Sequence, residues 1–159
     1  MPYDSKAYLS TPSSTSTEAL GVVGEIREYI DATYGKQFYR LVKNATGSDI
    51  VANLAVVYAS GSSVNCALSG DEAAAATVAG ITQNIIPDTH YAWVCCGGAC
   101  KGKAAADVAA NALVTTDGSA GLLDDNSTSG IEHCIIGVCP TAITFATEPT
   151  GTIRLRGLM

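Results

Sequence analysis

Charge is scarce in this chain. Lys, Arg, Asp and Glu make up 15% of its 159 residues, against about 25% in an average soluble protein. The charge present leans acidic, to a formal −6 at pH 7. The nine basic residues are scattered, with loose groupings at Lys36/Arg40/Lys43, Lys101/Lys103 and Arg154/Arg156. Phosphate binding needs clustered Lys and Arg, so nucleic acid is excluded as the main partner. No apolar run reaches the ~18 residues that a membrane-spanning helix needs, and no membrane partner is expected. The start, from Met1 to Leu9, lacks the basic region and apolar core of a secretion signal, which leads us to expect assembly in the cytoplasm.

Catalytic signatures are missing as well. The chain has no nucleophile elbow, no paired-histidine zinc motif, no phosphate-binding loop and no dinucleotide fingerprint. The adjacent acids Asp71-Glu72 and Asp124-Asp125 read as solvated loop carboxylates. Asp117 to Asn126 lacks the alternating oxygen ligands of a calcium loop. The two histidines are placed poorly for general-base work: His90 lies in the turn Pro87-Asp-Thr-His90, and His133 lies within an apolar run. We therefore assign no catalytic, cofactor or metal residue, and expect a protein that is not an enzyme.

Six cysteines stand out against this background: Cys66, Cys95, Cys96, Cys100, Cys134 and Cys139. Three readings of them remain open. Free Cys packs as a small apolar residue. The even count also permits disulfides or another staple among Cys95, Cys96, Cys100, Cys134 and Cys139. A zinc site needs four convergent ligands, and the spacings here differ from the usual two-residue gap. If Cys95 and Cys96 lie on a regular strand, they point to opposite faces.

What the chain does have is strand punctuation. Thr152, Arg154 and Arg156 alternate with Ile153, Leu155 and Leu158, the pattern of a strand with one wet and one dry face. Strands are expected at 36–43, 50–58, 64–68, 77–86 and 91–96, with continuation at 101–105 and a further strand, Ile135-Ile-Gly-Val138, in the apolar run 131–139. Asn44 to Gly47, Pro87 to His90 and Asp117-Gly118 are turns. Residues 22–30 are ambiguous between a helical face and the first strand of a hairpin, and we expect the strand. Residues 121–130 read as a polar loop. Short strands every 8–12 residues with Gly-rich turns indicate an all-β fold, a small β-barrel or β-tulip or a sandwich. Its last strand is expected to close the body.

The first 20 residues differ in kind. Ser10 to Thr17 holds seven hydroxyl residues in eight, with no bulky apolar residue to drive folding. We read 1–20 as an extended N-terminal arm and 21–159 as the β-rich body. Tyr3, Tyr8 and Leu9 are sticky residues on that arm, suited to docking on a neighbouring subunit.

The order of several short segments carries a resemblance. It runs through Val42-Lys-Asn44, Val78-Ala-Gly-Ile-Thr-Gln83, Tyr91-Ala-Trp93, Ile135-Ile-Gly-Val138 and Ile153-Arg-Leu-Arg-Gly157. Over roughly residues 35–159 this resembles the capsid decoration, or cement, proteins of tailed bacteriophages. The resemblance implies a structural virion protein on the capsid exterior that binds the major capsid protein and stabilises the head. It further implies a homotrimer, an arm that crosses neighbouring subunits and no cofactor. On that reading Arg154 and Arg156 are candidate contacts to an acidic capsid surface. A head-fibre base or a tail protein is the alternative, and a Cys/His metal module is a more distant one.

Overall fold

The computed structural model describes residues 12–59, 65–68, 77–117, 121–125 and 135–157. Every regular element among them is a strand, as the periodicity indicates: β1 (Thr15–Ser16), β2 (Ile26–Asp31), β3 (Gly35–Asn44), β4 (Ala55–Tyr58), β5 (Asn65–Leu68), β6 (Val78–Thr82), β7 (Tyr91–Lys103), β8 (Ala112–Thr116), β9 (Leu123–Asp125), β10 (Gly137–Cys139) and β11 (Thr150–Leu155). They form one mixed 11-stranded sheet with the order β2-β3-β5-β4-β6-β7-β11-β10-β8-β9, and β1 added to β7. The protein is all-β.

The ambiguous stretch around residue 26 resolves as a hairpin. β2 pairs with β3 from Ile26↔Arg40 to Asp31↔Gly35. Asp31 supplies the turn: its Oδ1 accepts from the backbone N–H groups of Thr33 at 2.7 Å and Tyr34 at 2.8 Å, an Asx turn that replaces two ladder partners. Gly35 follows at φ 72°, a conformation glycine adopts without steric cost. At the other end of β3, buried Asn44 organises the next loop. Its Nδ2 donates to the carbonyls of Ser48 at 2.8 Å and Ile86 at 2.9 Å.

β7 is the spine. Its 13 residues run unbroken through the Gly-rich stretch that the sequence presents as a crossing between two strands. Tyr91–Gly97 pairs with β3, from Lys43↔Tyr91 to Phe38↔Gly97. Gly98–Lys103 pairs with β11, from Leu155↔Gly98 to Thr150↔Lys103. The hand-over falls at Gly98, whose φ is 86° and whose missing Cβ would sit against the Lys36 carbonyl. Beside it, buried Gln37 donates from Nε2 to the Ala99 carbonyl and accepts from the Tyr39 hydroxyl at 3.2 Å. These bonds satisfy polar groups that the change of neighbour would otherwise strand.

The eleven strands do not close as a whole into a barrel, which sets aside that one of the expected all-β forms. The path does return on itself locally: β3 pairs with β7 as well as with β5, so β3, β5, β4, β6 and β7 form a circuit. β3 and β5 run parallel. The second half curls too, because Leu123 of β9 bridges to Ala104 just after β7. The core has two parts. The larger holds Tyr39, Leu41, Ile81, Trp93, Ile136 and Ile153. The smaller holds Val42, Ile50, Val56, Ile86 and Val94.

Several strands are shorter than their apolar runs. The run 50–58 yields only β4, because Asn53 adopts φ 68° and breaks the extended path; Ile50 instead bridges Ile86. The stretch 121–125, read as loop, contains β9, whose Leu123 is fully buried. β11 alternates as expected, with Ile153 and Leu155 buried and Arg154 exposed. It lies between β7 and β10. Within the expected arm, Thr15↔Ala92 and Ser16↔Tyr91 join β1 to the sheet, and Leu20 packs on the larger core cluster.

Candidate functional site

The described cysteines lie inside the body. Cys66, Cys95, Cys96, Cys100 and Cys139 are buried free thiols, and Cys134 lies outside the described residues. The expectation that Cys95 and Cys96 face opposite ways does not hold. Tyr39 pairs with Cys95 and Phe38 with Gly97, so Cys96 is the extra residue of a β-bulge, and a bulge breaks strict alternation. Both side chains reach the same core cluster, with Cys100 and Cys139. Burial pushes the thiols of Cys66 and Cys96 up to about 12. A hydrogen bond with Cys95, together with burial, raises Cys100, and burial raises Cys139. Cys139 Sγ donates to the Thr141 carbonyl at 2.8 Å. A thiol held protonated is a poor nucleophile and a poor metal ligand. Among the described residues, no three His, Cys, Asp or Glu side chains group as metal ligands would.

The other flagged residues separate cleanly. His90 caps its turn, with Nδ1 2.8 Å from the Asp88 carbonyl. Asp124 and Asp125 lie on β9 instead of in a loop, and burial raises the Asp124 carboxyl, with repulsion from Asp125 and Asp117 adding to it. Tyr3, Tyr8, Leu9, Asp71, Glu72 and His133 lie outside the described residues.

The cations divide into two groups. Arg27 forks onto Glu25 at 2.9 Å and lies 5.0 Å from the Trp93 ring centre. Lys36 meets Glu28 at 2.7 Å and lies over Phe38. Arg40 is buried, donates to the Ala79 carbonyl and lies over Tyr58. Lys43 lies over Tyr91 at 5.4 Å. The remaining four described cations are Lys101, Lys103, Arg154 and Arg156. Among the described residues none of these four has an ion pair or an aromatic partner.

The strand register puts those four on one side. Directly paired residues share a face of a sheet, so the pairs Ala99↔Arg154, Lys101↔Thr152 and Lys103↔Thr150 project together, opposite Cys100, Ile153 and Leu155. Arg156 continues the alternation and is exposed. The row extends sideways: Arg154 pairs with Val138 and Val138 with Leu113. Leu113 is 42% exposed. A groove of about 280 Å³ opens between the start of β11 and the preceding loop, lined by Thr141, Thr144, Thr147, Glu148, Thr150 and Thr152 among others. Sequence reading singled out Arg154 and Arg156. It missed Lys101, Lys103 and Leu113 because only the register of three pairings brings them alongside.

No protein-family model matches this chain, and no curated protein sequence does. Among solved structures, its fold is similar to the N base of the head fiber protein gp8.5 of bacteriophage phi29. That likeness has a TM-score of 0.56 at 12% identity and covers 74% of this chain and 92% of the phi29 chain. At this identity the similarity is one of fold.

Proposed function

We propose that this chain is a structural protein of a phage virion, a non-enzymatic β-body fixed on the outside of the head. It is a head-fibre base or decoration subunit that binds the major capsid protein as a homotrimer and is assembled in the host cytoplasm. The observation that carries this reading is the likeness of fold to a phage head fiber base, which extends over 92% of that chain. Two features of the molecule support it. The five described thiols are packed inside, and burial holds those of Cys66 and Cys96 protonated, which suits a structural body. Three large apolar side chains stand exposed, Val22 at 75%, Ile30 at 59% and Ile85 at 55%, and are free to make apolar contacts with a partner. A head-fibre base and a shell-wide decoration protein differ in where and how densely they sit.

Cryo-EM of particles with and without the coding sequence tests the reading. The expected result is density on the head surface that disappears with the sequence. Density at isolated points, continued outward by a fibre, selects the fibre base. Density repeated over the whole shell selects the decoration subunit. Particles of identical structure with and without it overturn the proposal.

A further inference from the structure

The eight described basic residues of this acidic chain are not spent evenly. Arg27 and Lys36 are ion-paired, Arg40 is buried and Lys43 lies over Tyr91. Lys101, Lys103, Arg154 and Arg156 have no such partner among the described residues, and all four project from the β7–β11 ladder. The sheet carries Arg154 in one cross-strand row with Ala99, Val138 and Leu113, which places apolar surface beside the cations. The hydroxyls of Thr150 and Thr152, between the lysines and the groove, make no hydrogen bond among the described residues. The cations on β7 and β11 lie beside apolar residues on β10 and β8, the mixed apolar and charged surface through which proteins bind one another. Glu148 lines the groove, and the pairing of β9 with β8 sets Asp124, opposite Thr115, on the face that carries Leu113.

We infer that the outer face of β8, β10, β11 and β7 is a docking surface for an acidic protein partner, carboxylates of the head shell in the proposed function. The inference rests on that reading and adds the surface and the sign of its charge. A carboxylate-bearing partner fits because four unpaired cations would lose hydration on docking, and only opposite charge offsets that loss. A second copy of this chain is the competing occupant, and it would show itself as an oligomer in free solution held by this face. Size matters too. Four strands about 4.8 Å apart, six residues long, give a face of roughly 15 by 20 Å, or ~300 Å². That is well below the ~800 Å² per partner of a stable standard interface. Each copy therefore binds weakly through this face, and retention comes from several faces engaging a repeating lattice at once.

The test is sedimentation of purified protein with heads of its own phage that lack it, at roughly 0.1 M salt. The double variant Lys101→Glu/Arg154→Glu is compared with Lys36→Glu, a reversal at an ion-paired lysine on β3, outside the four strands of the face; matched circular dichroism and melting curves show that each is folded. The expected result is at least a ~10-fold loss of bound copies for the double variant, wild-type binding for Lys36→Glu, and a binding constant for the natural protein that falls steeply as salt rises. Equal loss from Lys36→Glu, or no loss from the double variant, overturns the inference and leaves the virion reading standing. A salt-sensitive oligomer in free solution that the double variant dissolves also overturns it, because the face then belongs to a second copy. If the natural protein ignores heads altogether, the proposed function falls and this inference with it.

Discussion

At the scale of single residues, the cysteines are governed by packing and solvation. Cys95 and Cys96 are neighbours that a regular strand would send to opposite faces, yet the bulge at Tyr39↔Cys95 brings both into one core. A buried thiolate would lack water and has no cation beside it strong enough to replace that water. Even Arg40, which acts to lower Cys96, leaves it raised to about 12. This has a consequence for pH. Between the ordinary thiol value of 9.0 and about 12, Cys66 and Cys96 stay protonated in the folded chain and ionise in the unfolded one. The unfolded state then binds fewer protons, so stability is full below pH 9 and is lost as pH climbs through this window. The slope is about 1.4 kcal/mol per pH unit for each such thiol. Urea melts at pH 8, 9.5 and 11 check it, and replacing Cys66 with Ala should flatten the fall. A stability that holds level or rises over that range contradicts the burial argument. The same burial predicts that the five described thiols resist an alkylating reagent at pH 8 in the folded protein and react rapidly in urea.

At the scale of the element, one strand carries the design. β7 is long enough to serve two neighbours in turn, β3 and then β11. The switch between them is made possible at Gly98, where φ is 86° and the Lys36 carbonyl leaves no room for a Cβ. Replacing Gly98 with Ala imposes a left-handed conformation on an L-residue and a clash with backbone that cannot step aside. The expected destabilisation is about 2–4 kcal/mol, read as a lower urea midpoint with an unchanged slope. An Ala variant as stable as the natural protein shows that the hand-over does not depend on this glycine. The dipeptide Gly97-Gly98 is visible in the sequence, where it reads as a connection between two strands. It is in fact strand interior, because the backbone approach that demands glycine comes from β3, some 60 residues earlier in the chain.

At the scale of the whole molecule, the distribution of exposed groups decides the partners. The body buries two apolar clusters, leaves Val22, Ile30 and Ile85 outside, and gathers the four unspent cations among the described residues on one face. Under the proposed homotrimer, apolar contacts hold the copies together while the cationic face meets the lattice. Light scattering on the purified protein should give three times the chain mass of 16.2 kDa, with little dependence on salt. A monomer mass at all concentrations removes the trimer from the proposal. The charge-reversed Lys101→Glu/Arg154→Glu protein should keep the same mass, since it alters a different surface.

The sequence alone determined the class of secondary structure, the dry and wet faces of the last strand and the turns at Asn44 and Pro87. Each of these follows from residues within a few positions of one another: alternation, side-chain caps and glycine or proline at fixed offsets. Tertiary structure alone decided which strands meet. It arranged the strands of the expected all-β body as a curled mixed sheet with a local circuit, made a strand of 123–125 by burying Leu123, and set Lys101 and Leu113 on the same face as Arg154. Strand pairing joins residues far apart in the chain, and a shift of one position exchanges the two faces of a strand. The composition of a surface is therefore fixed by register between distant segments, which local pattern does not carry.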